Sequence, residues 1–208
     1  MKAETGGSGD FENPKEGVTV GRCYRIVDLG TQEKKYQGNV DYKRQILVSF
    51  ELPLLTMDLD GEKVPMAISK KYTLSFNGKA SLRKDMEAWY GKKFNDKDIE
   101  ASGGFDPTKI LGKPGQILIE HNEYQGKTYA NVAGLMPLAE GQTCPDQVNE
   151  SFVFDLDEFD RDKWDSLSEK MRSWIAKSPE AKKALGEGQP EKDNPAVVDD
   201  FEDLDLPF

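Results

Sequence analysis

Residues 64–91 read VPMAISKKYTLSFNGKASLRKDMEAWYG, and the apolar period changes half-way along. Up to position 76 it is two: Ile68, Tyr72, Leu74 and Phe76 share one parity, and Lys71, Thr73 and Ser75 take the other. That is the pattern of a half-buried strand. Lys70 falls on the apolar parity, so a barrel rim or a bulge has to let it out. Asn77-Gly78 breaks the strand. From Ser81 the period is helical, with Leu82, Met86 and Trp89 on one face, Ser81 placed as N-cap and Gly91 as the stop. Arg83, Lys84 and Glu87 lie off that face, and Trp89 is expected in the core.

Upstream lie two further strands. The stretch 18–29 mixes β-branched and aromatic residues and stops at Gly30. In 44–52, RQILVSFEL, Ile46, Val48, Phe50 and Leu52 alternate with Gln45, Ser49 and Glu51, so one face is apolar and the other mostly polar. Pro53 is expected to end it, and 58–63 to form a turn. Between these strands runs the polar loop TQEKKYQGNVDYKR, residues 31–44. Downstream, a short helical turn is expected near 107–111. A fourth strand follows at 116–121, and a fifth at 127–138 after the turn EYQGK. Three strands, a helix, then two strands is the order of an OB-fold, a mainly β, five-stranded Greek-key barrel with a helix between strands 3 and 4. An SH3-like barrel lacks that helix.

The chain therefore divides into a flexible leader (1–16), a barrel domain (17–138), a linker with an amphipathic helical extension (139–186) and a disordered acidic tail (187–208). In the extension, 161–177 reads as one helix with Trp164, Leu167, Met171, Trp174 and Ile175 along a stripe and Asp160 as cap. Such a stripe needs a partner surface, on this chain or on a neighbour. Ser178-Pro179-Glu180 starts a further short helix that ends at Gly186.

Charge follows the same division. The formal net charge is −10, yet residues 1–138 hold 20 Lys and Arg against 19 Asp and Glu, while 139–208 hold 8 against 19. A near-neutral body carries an acidic end. The last ten residues, DDFEDLDLPF, combine five carboxylates with Phe201, Leu204, Leu206 and Phe208. They read either as an acidic solubility tail or as a peptide ligand whose ring enters a partner's apolar pocket. In the second case the recruiting residues are Asp199, Asp200, Phe201, Asp203, Asp205, Leu206, Pro207 and Phe208.

Two cysteines, Cys23 and Cys144, form no disulfide framework or metal spacing and are expected as reduced thiols in the cytoplasm. The single histidine, His121, argues against a histidine zinc site. The acidic run 155–162 lacks the glycine and closing glutamate of a calcium loop. No P-loop, dinucleotide fingerprint, nucleophile elbow or HExxH motif occurs, so neither catalysis nor a cofactor is expected. No apolar run approaches the ~20 residues of a membrane span.

Binding remains. An OB barrel presents a groove over strands 2 and 3, flanked by the loop after strand 1 and the loop after strand 4. Both loops carry tyrosines beside cations, the pairing that sequence-independent single-strand binding needs: rings stack on any base, and cations track phosphates. Tyr36, Tyr42, Tyr72 and Tyr124 are the stacking candidates, with Phe76 assigned to the core. Lys34, Lys35, Lys43, Arg44, Lys70, Lys71 and Lys127 are the phosphate candidates.

The segments DLGTQEKKYQG (28–38), ISKKYTLSFNGKASLRKDMEAWYGKKF (68–94), GFDPTKILGKPGQILIEHNEYQGKTYANVAGLMPL (104–138) and FDLDEFDRDKWDSL (154–167) resemble a family of phage-encoded single-stranded DNA-binding proteins. LRKDMEAWYGKKF and GKTYANV are the more specific parts, and the likeness spans about 17–178. The resemblance implies an OB-fold that coats and protects single strands during phage DNA replication, recombination or repair, in the cytoplasm of an infected bacterium. The acidic tip is similar to those with which bacterial single-strand binders recruit replication and recombination proteins, with Leu206 as a departure before Pro207-Phe208. Self-association on DNA fits the helical stripe. The alternative is a non-catalytic protein-interaction adaptor, or an accessory subunit of a phage replication or nuclease complex.

Overall fold

The computed structural model describes residues 12–36, 38–59 and 61–186, with the backbone alone at 35 and 36. The acidic tip and most of the leader lie outside these residues. Six strands form one open, mostly antiparallel sheet: β1 (Gly17–Tyr36), β2 (Asn39–Leu59), β3 (Glu62–Thr73), β4 (Pro114–Tyr124), β5 (Lys127–Met136) and β6 (Phe152–Phe154). The ladder order is β3-β2-β1-β4-β5, and β6 pairs with β1 in parallel. The edges β3 and β5 approach each other, but no ladder closes them. Helix α1 (Ser81–Tyr90) packs against both.

The strands are longer than their apolar stretches. The loop expected at 31–44 is paired backbone, with Lys34 opposite Asp41 and Tyr36 opposite Asn39, so β1 and β2 extend as a two-stranded arm. Pro53 does not end β2. The register shifts between Leu52 and Thr56, and that irregularity accommodates the missing N–H before the strand resumes to Leu59. β3 stops at Thr73, three residues short of Phe76.

The first core fills the inner face of the sheet. Ile46, Val48, Phe50 and Leu52 meet Leu82, Met86 and Trp89 of α1, and Phe50 stacks on Trp89 with centroids 4.8 Å apart. The three helix positions expected to face inward do so. Trp89 donates from Nε1 to the Pro114 carbonyl at 3.1 Å. Gly115 permits that approach, since a Cβ there would lie 2.9 Å from the indole. Ser81 is not the N-cap: Ala80 holds that position with extended backbone and no side-chain bond, while Gly91 ends the helix in the left-handed region as expected.

Arg83 is buried as well, contrary to its polar assignment, because it carries its own partners. Its guanidinium donates to Glu87, Asp96 and the Phe94 carbonyl. Lys93, the Phe94 amide and Arg83 together hold the Glu87 carboxyl down, to about 2. A carboxyl depressed on folding contributes stability above its unfolded value, and that contribution is lost as pH falls through the folded one. The melting-temperature gap between wild type and Glu87→Gln should therefore be full at pH 7 and close as pH falls from about 4.5 toward 2. A gap that does not change between pH 7 and pH 2.5 would contradict this assignment.

A second core lies on the other face of the same strands. Val27, Leu29 and Leu47 are covered by Phe154, Leu156, Trp164, Leu167, Met171, Ile175 and Ala181. Leu47 alternates with Ile46 and Val48, so the two cores must sit on opposite sides of β2. The stripe of the extension thus docks on its own chain. The single helix expected at 161–177 is two, α3 (Arg161–Ser166) and α4 (Glu169–Ile175), after α2 (Asp96–Ala101) earlier in the chain. Leu167 is extended between them, and Ser168 caps the second. That break turns Leu167, Met171 and Ile175 onto the sheet, whereas Trp174 remains half-buried.

Helix α5 (Pro179–Ala184) begins at Pro179 as expected and closes this core over Gly30. Gly30 has φ +70°, and a Cβ would lie 2.2 Å from Ser178 Oγ. The Glu180 carboxylate accepts from Thr31 N–H at 2.8 Å and Thr31 Oγ1 at 2.5 Å. Burial pushes this carboxyl up, but the Thr31 bonds outweigh it and the net direction is down.

Candidate nucleic-acid interface

Two tips carry exposed tyrosines. On the β1–β2 arm, Tyr42 is 63% exposed, with Lys34 and Lys43 exposed around it. Its hydroxyl lies 3.5 Å from Glu33, and Lys43 pairs with Asp41 at 2.9 Å. The side chains of Lys35 and Tyr36 lie outside the described residues. On the β4–β5 turn, Tyr124 is 45% exposed beside exposed Lys127. Lys34 and Lys127 make no ion pair among the described residues.

The two tips leave the β1–β4 ladder in opposite directions. Gly17 pairs with Ile119 and Arg22 with Pro114. β4 runs on past Gly17 to reach its turn, and β1 runs on past Arg22 to reach the arm. A ligand touching both must therefore cross the sheet. Part of that crossing is already occupied. Gln45, Leu47, Ser49 and Glu51, on the outer face of β2, are buried, Leu47 and Glu51 against the extension. Glu51 accepts from the amides of Val148 and Asn149 and from Asn149 Nδ2, at 2.8–3.1 Å. On β3 the outer residues Ser69, Lys71 and Thr73 stay half-open.

Four candidates have partners within the protein, and one of them, Tyr72, is fully buried. Tyr72 is 1% exposed, donates to Asp85 at 2.7 Å and belongs to the first core, so it has no face for a base. Burial, then the Asp85 charge, pushes its hydroxyl well up. Lys70 escapes the apolar parity by pairing with the same Asp85 at 2.7 Å. Lys71 lies over the Trp174 ring, 5.1 Å from its centroid. Arg44 grips Asp28 at 2.5 Å and Asp157 at 2.7 Å, with Asp155 at 3.6 Å, and its charge is strongly held. Phe76 stacks on Phe105 at 4.1 Å and packs against the core, as assigned.

The leader is partly docked. His121 Nε2 lies 2.8 Å from the Pro14 carbonyl, and Asn13 donates to the Thr128 carbonyl at 2.7 Å. Among the described residues no cluster of His, Cys, Asp and Glu could hold a metal, and no helix is long and apolar enough to cross a membrane. Cys23 and Cys144 are free thiols, and burial pushes the Cys23 thiol up to about 12.

One basic and aromatic grouping escaped the sequence pattern. Lys92 and Lys113 both approach the ring of Tyr90. Twenty residues separate the two lysines, and no periodicity links them, so only the fold brings them together. No protein-family model matches the chain, and no curated protein is significantly similar to it.

Proposed function

We propose that this chain is a non-catalytic single-stranded DNA-binding protein of phage type, whose strands β1–β5 form an OB-like barrel with α1 between β3 and β4. The observation that carries this reading is the pair of tips, each presenting an exposed tyrosine beside lysine. Such tips stack on bases of any identity and track phosphates. The strand path runs from the β1–β2 arm over the open edge of β3 to the β4–β5 turn, since the extension occupies the outer face of β2. The acidic residues 199–208, outside the described residues, serve as a recruitment peptide for replication and recombination proteins.

Oligo-dT titration across a salt series tests the proposal. Affinity should rise with oligonucleotide length and fall steeply with salt. Tyr42→Ala and Tyr124→Ala should each cost ~1–3 kcal/mol, whereas Tyr72→Phe should leave affinity unchanged. An adaptor or accessory subunit would show no length-dependent binding. In the same titration, deletion of 191–208 should tighten binding at low salt only, because a tethered polyanion competes for the same cations. Equal affinities with and without the tail would remove that competition.

A further inference from the structure

Tyr90 ends α1 and is half-buried against the first core. Lys113 Nζ sits 4.2 Å from its ring centroid and Lys92 Nζ 5.9 Å. Neither lysine makes an ion pair among the described residues. Their neighbours differ: Lys93 has Glu87 at 2.6 Å, and Arg83 has Glu87 and Asp96. Both ammonium groups thus sit by the same ring without an ion-pair partner among the described residues, in a chain that is acidic overall. Burial of Lys113, and then the charge of Lys92, pulls the Lys113 ammonium down from its usual range. The ring's attraction offsets part of this repulsion. An anion between the two cations would offset the rest.

We propose that Lys92, Lys113 and Tyr90 form a second contact for the single strand, in which the two lysines bind a backbone phosphate at a site separate from the tyrosine-bearing tips. This rests on the single-strand-binding function proposed above. The chemistry is that of an anion held by two cations gathered at one aromatic ring. The Tyr90 ring is itself braced by Phe94, with their planes 72° apart and their centroids 5.6 Å apart. A strand that reaches this site as well as a tip must be longer than one that fills a tip alone. Lys92→Gln/Lys113→Gln should therefore weaken long oligo-dT far more than short.

The test compares that double variant with Lys97→Gln/Lys109→Gln, which removes the same charge from two exposed positions on the same connection. For long oligo-dT at low salt, the first pair should lose affinity about tenfold, and its salt slope should become shallower by about 1 per lysine. The control pair should change less than about twofold on the same scale. Equal losses in both pairs, or no loss in the first, overturn the site while leaving the proposed function standing. Failure of the wild type to bind oligo-dT overturns both. Lysine acetylation of the wild-type protein gives a second readout that needs no variant to fold. Lys92 and Lys113 should be protected when long oligo-dT is bound, and unchanged reactivity at both overturns the proposal.

Discussion

A chain ended after Leu138 is expected to be insoluble or to associate with itself. The sheet it leaves behind has Val27, Leu29 and Leu47 open to water, each now 0–5% exposed under the extension. Burying a side chain of this size contributes about 1.5–3 kcal/mol, so the three together represent on the order of 5 kcal/mol of gross apolar burial. That is comparable with the whole stability of an ordinary domain, about 5–15 kcal/mol. The uncovered strip would form an apolar patch of the kind soluble monomers avoid. Glu51 would also lose the Val148 and Asn149 amides, and Asp28 the Leu156 amide. Sedimentation and thermal melting of the shortened chain decide the matter. If it matches the full chain in solubility, melting temperature and association state, the second core contributes nothing to the body.

Arg44→Met is expected to destabilise the protein by about 3 kcal/mol, with any loss of DNA affinity following from unfolding alone. The pair with Asp28 sets that magnitude. Asp28 is 5% exposed and accepts from Arg44, Gly30 N–H and Leu156 N–H. Removing the guanidinium leaves a buried carboxylate short of its counter-charge. Asp155 and Asp157 have side chains 47% and 67% exposed, so their pairs with Arg44 add little. Asp28→Asn/Arg44→Met should recover only part of the loss: the orphaned charge is gone, but the amide oxygen can accept from only one of the Gly30 and Leu156 N–H groups that the two carboxylate oxygens serve. Urea unfolding of the three proteins, beside oligo-dT titration under folding conditions, separates the roles. A variant that loses single-strand affinity at unchanged stability would return Arg44 to the phosphate contacts.

Arg44 also shows what charge patterning leaves out. In the sequence it is a cation next to Tyr42 and Lys43, and nothing local marks it as spoken for. Its partners sit 16 and 113 residues away, at Asp28 and Asp157. Tyr72 is the same case in reverse. Its parity with Ile68 was legible and points inward, but its candidacy as a stacking ring came from the neighbouring lysines, which says nothing about direction.

What the sequence determined by itself is the part governed by short-range physics. Alternation placed Ile46, Val48, Phe50 and Leu52 on one face of a strand, and helical spacing put Leu82, Met86 and Trp89 on one face of α1. Glycine and proline chemistry set the stop at Gly91 and the start at Pro179. From these follow five strands, a helix and their order along the chain. Tertiary structure decided the other face of β2. Gln45, Ser49 and Glu51 alternate like solvent-facing residues, yet all three are buried; Glu51 is so because a segment a hundred residues later supplies its hydrogen bonds, while the neighbouring Leu47 takes an apolar cover from the extension. It decided, too, that the polar stretch 31–44 is a paired arm, since cross-strand hydrogen bonds satisfy backbone groups whatever the side chains are. And it brought Lys92 and Lys113 to the Tyr90 ring, an arrangement that depends on how the end of α1 and the start of β4 pack, which no local pattern encodes.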